Sequence, residues 1–111
     1  MATFKRGRDR TAVEAFPGIV RRTMAHDDDL MLCHFVMKKG AEVPLHNHVA
    51  VQNGFVVSGR VQFLDENGET FAAEAGDGYL FASLETHGTR VLEDAVVIEC
   101  FCPSRPEYAE E

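Results

Sequence analysis

Short apolar or alternating runs recur along the chain, and each ends at a turn signal rich in Gly, Asn, Asp or other polar residues. In chain order the runs cover residues 19–25, 30–37, 51–57, 60–65, 70–75, 79–83, 89–92 and 95–101. Segments of four to eight residues at regular spacing are typical of a β-sandwich or β-barrel. Because no segment has a convincing helical pattern, the sequence predicts a compact all-β fold.

The clearest turn signal lies at Asn67-Gly68, between the runs 60–65 and 69–74. Asn and Gly are the residues that most readily accept the positive φ angles of a tight turn. The pattern therefore predicts that these two runs pair as a β-hairpin.

The length of the chain indicates the number of domains, and its charge indicates which partners are disfavoured. The 111 residues predict one domain, 1–111, in which residues 1–18 form an N-terminal segment. Eighteen Asp and Glu against eleven Lys and Arg give a net charge of -7. That charge disfavours non-specific binding to nucleic acid or to an anionic membrane, because the field of the protein repels both. An anionic small-molecule substrate would need a local positive site.

Neither a membrane anchor nor a signal peptide is indicated by the sequence. The chain contains no run of 18 apolar residues, and no apolar stretch follows the positive charges near the N-terminus. The three cysteines, Cys33, Cys100 and Cys102, are odd in number, and the last two are too close on one strand to bridge comfortably. We interpret them as reduced, partly buried thiols of a cytoplasmic protein.

Candidate chemistry begins with His46 and His48, in the stretch PLHNHVAVQ. Side chains alternate between the faces of an extended strand, so both imidazoles are predicted to lie on one face. Two buried, unpaired imidazoles would be costly, and a bound metal ion would remove that cost. An H-x-H fragment by itself is also compatible with a pair of surface histidines.

The surrounding residues resemble the two cupin motifs. From Gly40 the chain reads GAEVPLHNHVAVQNGFVVSG, which is similar to G-x5-H-x-H-x3-4-E-x6-G, with Gln52 at the Glu position. From Gly76 it reads GDGYLFASLETHGTRV, similar to G-x5-P-x-G-x2-H-x3-N, with His87 at the His position. The resemblance covers residues 40–91 and implies a single-domain cupin, a double-stranded β-helix or jelly-roll barrel.

Three positions depart from the second motif: Ala82 replaces Pro, Leu84 replaces Gly and Val91 replaces Asn. These positions shape a turn and a strand, so the departures affect loop geometry more than ligation. The resemblance implies one divalent metal ion, Zn, Ni, Fe or Mn, held by four ligands: His46, His48, Gln52 and His87.

Gln52 changes the charge of the implied site. The usual cupin set of three His and one Glu leaves a divalent ion with a net charge of about +1, whereas an amide leaves its full charge. The ion would then be a stronger Lewis acid for an anionic substrate, which favours redox-neutral chemistry over oxygen activation. The alternative is a decayed site in which Gln52 only forms hydrogen bonds.

Residues 99–108, ECFCPSRPEY, resemble the D-x-F-x-P-x-R-x-x-[FY] ending of KdgF, the small cupins of pectin and alginate degradation. The stretch GIVRRTMAHDDDLML near the N-terminus is similar to that family as well. The resemblance implies that Glu99 transfers protons, that Phe101 forms a wall of the pocket and that Arg105 binds a substrate carboxylate. Glu99 departs from the Asp of the family, and one extra methylene moves its oxygens.

The leading hypothesis is thus a metal-dependent isomerase-like or lyase-like enzyme that opens the ring of a 4,5-unsaturated monouronate. One alternative is a cupin dioxygenase with bound iron, and another is a non-catalytic cupin that binds a small ligand. We further expect a homodimer formed through the apolar face of residues 19–37.

Overall fold

A computed structural model describes residues 1–109 of the chain. Eight β-strands account for most of it, and the only helical elements in this range are two 3-10 turns, Gly7–Asp9 and Pro106–Tyr108. The strands are β1 (Val13–Phe16), β2 (Ile19–His26), β3 (Met31–Met37), β4 (Glu42–His46), β5 (Val51–Asp65), β6 (Thr70–Glu74), β7 (Gly78–Phe81) and β8 (His87–Cys102). The all-β prediction is confirmed. Residues 1–109 contain no helix of the length and apolarity that crossing a membrane requires.

Every strand pair is antiparallel, and the strands follow the order β1-β2-β3-β8-β5-β6, with β4 on β8 and β7 on β5. The long strands β5 and β8 each have several partners. One half of β8 pairs with β3 and the other half with β4, while β5 pairs with β8 along most of its length. These two strands therefore connect the two halves of the barrel.

The sequence pattern predicted four strands, 51–57, 60–65, 89–92 and 95–101, but the structure has two long strands there, β5 and β8. Both predicted breaks, at Ser58-Gly59 and at Glu93-Asp94, are irregularities inside a continuous ladder, where the register between β5 and β8 shifts. Gly59 has a φ of +82°, and a Cβ there would lie 2.1 Å from the carbonyl oxygen of Asp94. The glycine that resembles a turn signal is therefore needed at a bulge, where the two strands approach closely.

The predicted hairpin at Asn67-Gly68 is confirmed as the connection between β5 and β6. Only Gly68 has a positive φ, +81°, so the turn does not use the two left-handed residues that the sequence suggested. The Asp65 carboxylate stabilises it by accepting hydrogen bonds from the backbone N–H groups of Asn67 and Glu69, each at 2.9 Å. The extra residues in the turn explain why Asn67 keeps an ordinary conformation.

Alternating residues of the strands point into the barrel and form one apolar core. Its fully buried members include Ile19, Met31, Val56, Val61, Val91, Val97 and Phe101. The interior also contains buried polar residues, among them Gln52, His87 and Glu99, which line a cavity. All three cysteines are free, with Cys33 buried, Cys100 half-buried and Cys102 exposed. The barrel thus combines a packed apolar region with a polar one.

Candidate metal centre and its cavity

Three histidines that the cupin motifs imply as metal ligands lie close together, and two of them, His46 and His87, line the cavity. His46 is the last residue of β4 and His87 the first of β8, and the two are register partners. The strand ends at His46, so His48 lies in the following loop, and the prediction that both imidazoles share a strand face was wrong. The loop nevertheless brings the potential ligand atoms of all three residues within 4.8 Å of one another.

Backbone carbonyls orient the three imidazole rings. Each ring donates its Nδ1–H to a carbonyl two residues away: His46 to Pro44 at 2.8 Å, His48 to Ala50 at 2.7 Å, and His87 to Glu85 at 2.8 Å. A carbonyl oxygen only accepts, so these bonds place the proton on Nδ1 and leave a lone pair on Nε2. This is the arrangement by which proteins orient metal-binding histidines.

Burial keeps the cluster in a form that can ligate a metal. It lowers the pKa of His87 to about 4 and also lowers the pKa of His46, although the carbonyl bonds oppose both shifts. Both rings are therefore neutral at pH 7. Among residues 1–109, the Nε2 atom of His87 has no hydrogen-bond partner although it is buried. Because buried polar atoms are nearly always paired, this lone pair points to an electrophilic partner, and a metal ion fits it.

Gln52 completes the donor set from β5. Its side-chain oxygen lies 2.9 Å from His48 Nε2, and its NH2 group donates to Glu99 Oε2 at 2.7 Å. With the His48 proton on Nδ1, the two facing atoms are both acceptors, so a cation shared between them would relieve their repulsion. An imidazole nitrogen and an amide oxygen that face one another could both bind one divalent ion. The residues present thus fit a divalent ion held by three nitrogens and one oxygen.

Glu99 lies in the interior of the barrel beside this cluster. The side chains of β8 alternate as predicted, with Glu99 and Phe101 buried and Cys102 on the outside. Glu99 is 6% exposed, and its Oε2 accepts a hydrogen bond from the Tyr79 hydroxyl at 2.6 Å in addition to the Gln52 bond. Burial raises the pKa of Glu99, while these two bonds and the charge of Arg105 act to lower it.

Arg105 follows the end of β8 and lines the same cavity. Its guanidinium lies over the rings of Phe101 and Tyr108, with 5.3 and 4.2 Å to their centroids. Its Nε donates to the Glu107 carboxylate at 2.6 Å, and the side chain is only 16% exposed. The two aromatic rings and this ion pair hold the guanidinium in place, so its terminal NH2 groups remain the donors available to a ligand.

The cavity that joins these groups has a volume of about 290 Å³. Its polar lining residues include His46, Gln52, His87, Glu99 and Arg105, and Phe101 forms part of the wall. Its apolar lining residues also include Phe16, Ile19, Phe35 and Met37. All seven residues singled out in the sequence therefore lie within or beside one small space.

The loop between β7 and β8 carries a backbone conformation that the sequence analysis did not predict. Leu84 has a φ of +64°, the only positive φ of a non-glycine residue in 1–109, and it occupies the position of the motif glycine. Its backbone N–H donates to the carbonyl of His48 at 2.8 Å. The strained residue therefore helps to hold the loop that carries one predicted ligand.

The sequence reasoning missed Tyr79, and it assigned no role to Tyr108, which matches the last position of the KdgF ending. Strand alternation would have placed Tyr79 and Phe81 on the buried face of β7, as observed. However, nothing local identified Glu99 as the partner of the Tyr79 hydroxyl.

Comparison with known proteins identifies the family of this chain. Residues 33–102 match the cupin domain family. The chain belongs to the cupin family. This cupin is 33% identical over 93 residues to the pectin degradation protein KdgF of Dickeya dadantii (strain 3937), covering 82% of the chain and 84% of that protein.

The solved structures that share this fold include the following two. KdgF from Halomonas sp. is 31% identical, with a TM-score of 0.89 over 98% of this chain and 100% of that one. An RmlC-like cupin from Shewanella frigidimarina NCIMB 400 has a TM-score of 0.89 at 24% identity, over 98% and 97% of the two chains, and shows the fold alone. The predicted cupin fold is confirmed, and in a cupin the three-histidine cluster indicates a divalent metal site.

Proposed function

We propose that this cupin is a metal-dependent, redox-neutral enzyme that converts a 4,5-unsaturated monouronate into its linear keto acid. One arrangement carries the proposal: the uncharged donor set of three histidines and Gln52 shares a small cavity with a carboxylate, Glu99, and a guanidinium, Arg105. The similarity to KdgF, a pectin degradation protein, supports the choice of a uronate. When bound, the ion would supply Lewis acidity to substrate oxygens.

Arg105 is the proposed binding group for the substrate carboxylate. A planar guanidinium pairs with a carboxylate through two parallel hydrogen bonds, which fixes orientation as well as position. In a protein of net charge -7, an anionic substrate requires such a local cation. The rings of Phe101 and Tyr108 restrict the motion of the guanidinium, so little side-chain entropy is lost on binding.

Glu99 is the proposed proton-transfer group. Ring opening removes the proton of the anomeric hydroxyl as the bond between the anomeric carbon and the ring oxygen breaks. The enol that remains becomes a ketone when carbon 4 takes up a proton. The reaction is an isomerisation that requires no oxidant or reductant, and one carboxylate in the cavity can take the first proton and deliver the second.

Cavity size favours a single sugar ring over a chain of sugars. Ligand sites commonly have volumes of roughly 300–1,000 Å³. The present cavity, about 290 Å³, lies at the lower limit of that range. We therefore expect a monosaccharide acid to be bound and an oligouronate to be excluded.

The decisive experiment follows the ultraviolet absorbance of a 4,5-unsaturated monouronate in the presence of the metal-reconstituted protein. We expect faster decay than in buffer, and a loss of at least about 100-fold in Glu99→Gln. Glu66→Gln, an exposed carboxyl in the β5–β6 turn, is the matched control and should retain full activity. Decay no faster than in buffer, or equal rates for wild type and Glu99→Gln, would contradict the proposal.

The same preparation separates the two alternative functions. Oxygen uptake by the iron-loaded protein with a small organic substrate would favour a dioxygenase. Saturable binding of the sugar acid without turnover would favour a ligand-binding cupin. Metal analysis addresses the site itself, and less than half an equivalent of any divalent metal after reconstitution would contradict an intact centre.

We also propose that the chain forms a homodimer through the outer face of β2 and β3. That face carries the exposed side chains of Leu32 and Val36. The same face continues across β8 and β5, because His34 pairs with Ile98, which in turn pairs with Phe55. A sheet surface that carries several exposed apolar side chains favours association with a second copy. Light scattering should give a dimer for the wild type and a monomer for Leu32→Glu, and a wild-type monomer would contradict this proposal.

A further inference from the structure

We propose that Tyr79 is a positioning residue that holds the Glu99 carboxylate in the orientation needed for proton transfer. The inference rests on the proposed function, because it assigns Tyr79 a role through Glu99. It starts from one row of the sheet, in which Gly54 of β5 pairs with Tyr79 of β7 on one side and with Glu99 of β8 on the other.

The absence of a side chain at Gly54 lets Tyr79 reach Glu99. Adjacent strands lie about 4.8 Å apart, so Tyr79 and Glu99 start two strand spacings from one another. The tyrosine ring crosses this distance by lying over Gly54, where a Cβ would be 2.3 Å from Tyr79 Cζ and 2.4 Å from its hydroxyl oxygen. A residue with any side chain at position 54 would occupy the space of the ring.

The two hydrogen bonds to Glu99 meet at one oxygen. Tyr79 donates to Oε2 at 2.6 Å and Gln52 donates to the same atom at 2.7 Å. Within residues 1–109 no hydrogen bond reaches Oε1, and Glu99 lines the cavity. Two donors on one oxygen oppose rotation of the carboxylate, so Oε1 is left for the substrate.

Aromatic packing holds Tyr79 itself. Its ring centroid lies 4.3 Å from that of Phe63 and 5.7 Å from that of Phe81, and burial together with Glu99 raises the pKa of its hydroxyl. The hydroxyl therefore remains a donor. A Phe at position 79 would keep the ring and remove only this hydrogen bond, so the substitution isolates the proposed role.

The test is steady-state kinetics of metal-loaded Tyr79→Phe with the unsaturated monouronate. We expect kcat to fall about 10- to 100-fold while KM stays unchanged, because the proton-transfer group is misplaced and substrate binding is not. Metal content should equal that of the wild type. In the double variant with Glu99→Gln, kcat should be no lower than in Glu99→Gln alone, because both changes remove the same function.

Phe71→Leu is the matched control. Phe71 belongs to the same ring cluster, with its centroid 5.2 Å from that of Phe63, but it is 48% exposed. We expect this variant to keep the wild-type kcat. A Tyr79→Phe enzyme with wild-type kcat, a loss confined to KM, or a further fall in the double variant would each overturn the role assigned to Tyr79.

Activity of the wild type and crystal structures together distinguish failure of the proposed function from failure of the role assigned to Tyr79. If the wild type does not convert the monouronate, the proposed function is wrong, and crystal structures of the wild type and Tyr79→Phe then test the positioning. Rotation of the Glu99 carboxylate in the variant would support the positioning role. An unchanged carboxylate would overturn it.

Discussion

Gln52 donates a hydrogen bond to Glu99 at 2.7 Å while its oxygen lies 2.9 Å from His48. One amide therefore links the proposed metal ligands to the proposed proton-transfer group. A carboxylate at position 52 would serve as a ligand but could not donate this bond. The Gln52 amide therefore contributes a hydrogen-bond donor to Glu99 as well as an uncharged ligand to the site.

Gln52→Glu should keep the metal and lose activity. The new carboxylate would face Glu99 in a buried site, where like charges repel strongly and the lost donor frees the Glu99 carboxylate. We expect kcat to fall at least about 10-fold with metal content unchanged, measured by the absorbance assay and by metal analysis. Gln62→Glu, at a half-buried position of the same strand, is the control. Full activity of Gln52→Glu would show that the hydrogen bond to Glu99 is dispensable.

Removal of one imidazole should abolish the stabilisation that a metal provides. A ligand that binds only the folded state at about 100 times its Kd stabilises it by about 2.7 kcal/mol, roughly 10 °C in Tm for a domain of this size. Wild-type protein treated with a chelator should show this increase when Zn, Ni, Fe or Mn is added, and His87→Ala should not. Equal shifts in the two proteins would place metal binding elsewhere.

Gly54→Ala should reproduce the defect of Tyr79→Phe. Its Cβ would lie 2.3 Å from the tyrosine ring, so the ring must move and the hydroxyl must leave Glu99. We expect a fall in kcat of about 10-fold or more without loss of metal. Gly78→Ala is the matched control, since a Cβ there meets Gly54 only at an ordinary 3.5 Å. Equal activity of the two variants would contradict the expectation.

Leu84→Gly should stabilise the protein. A left-handed conformation costs an L-residue roughly 1–2 kcal/mol, and glycine avoids this cost. Glycine also loses more conformational entropy on folding, which costs about 0.5–1 kcal/mol. A net gain of about 0.5–1 kcal/mol in the free energy of unfolding follows and can be measured by urea denaturation. Leu80→Gly, at an equally exposed position in a strand, should instead destabilise. A loss of stability in Leu84→Gly comparable with that in Leu80→Gly would refute the strain argument.

Thiol reactivity should differ between Cys33 and Cys102. Burial raises the pKa of the Cys33 thiol to about 11, so at pH 8 it remains protonated as well as inaccessible, and only the thiolate reacts with iodoacetamide. Cys102 is exposed. Mass spectrometry after alkylation at pH 8 should find label on Cys102, and label on Cys33 only after unfolding. Rapid labelling of native Cys33 would show that the interior opens readily.

Much of the fold and of the site follows from local patterns. Alternation with period two is a property of the strand itself, so the all-β class and the shared inward face of Glu99 and Phe101 could be predicted from neighbouring residues. The resemblance to the two cupin motifs implied His46, His48, Gln52 and His87 as the candidate ligands, because each motif is a short stretch of consecutive residues. The positive φ at position 84 was not predicted, although Leu84 stands where the motif has a glycine.

Features that depend on the register between strands were visible only in the tertiary structure. Nothing near Gly54 or Tyr79 in the sequence indicates that both stand in one row with Glu99, because pairing of strands distant along the chain sets that row. For the same reason, Gly59 resembles a turn yet lies at a bulge against Asp94. The sequence by itself determined the all-β fold, since strand alternation is local, and its two motifs implied the candidate metal ligands. Contacts across strands alone determined how the carboxylate beside those ligands is held.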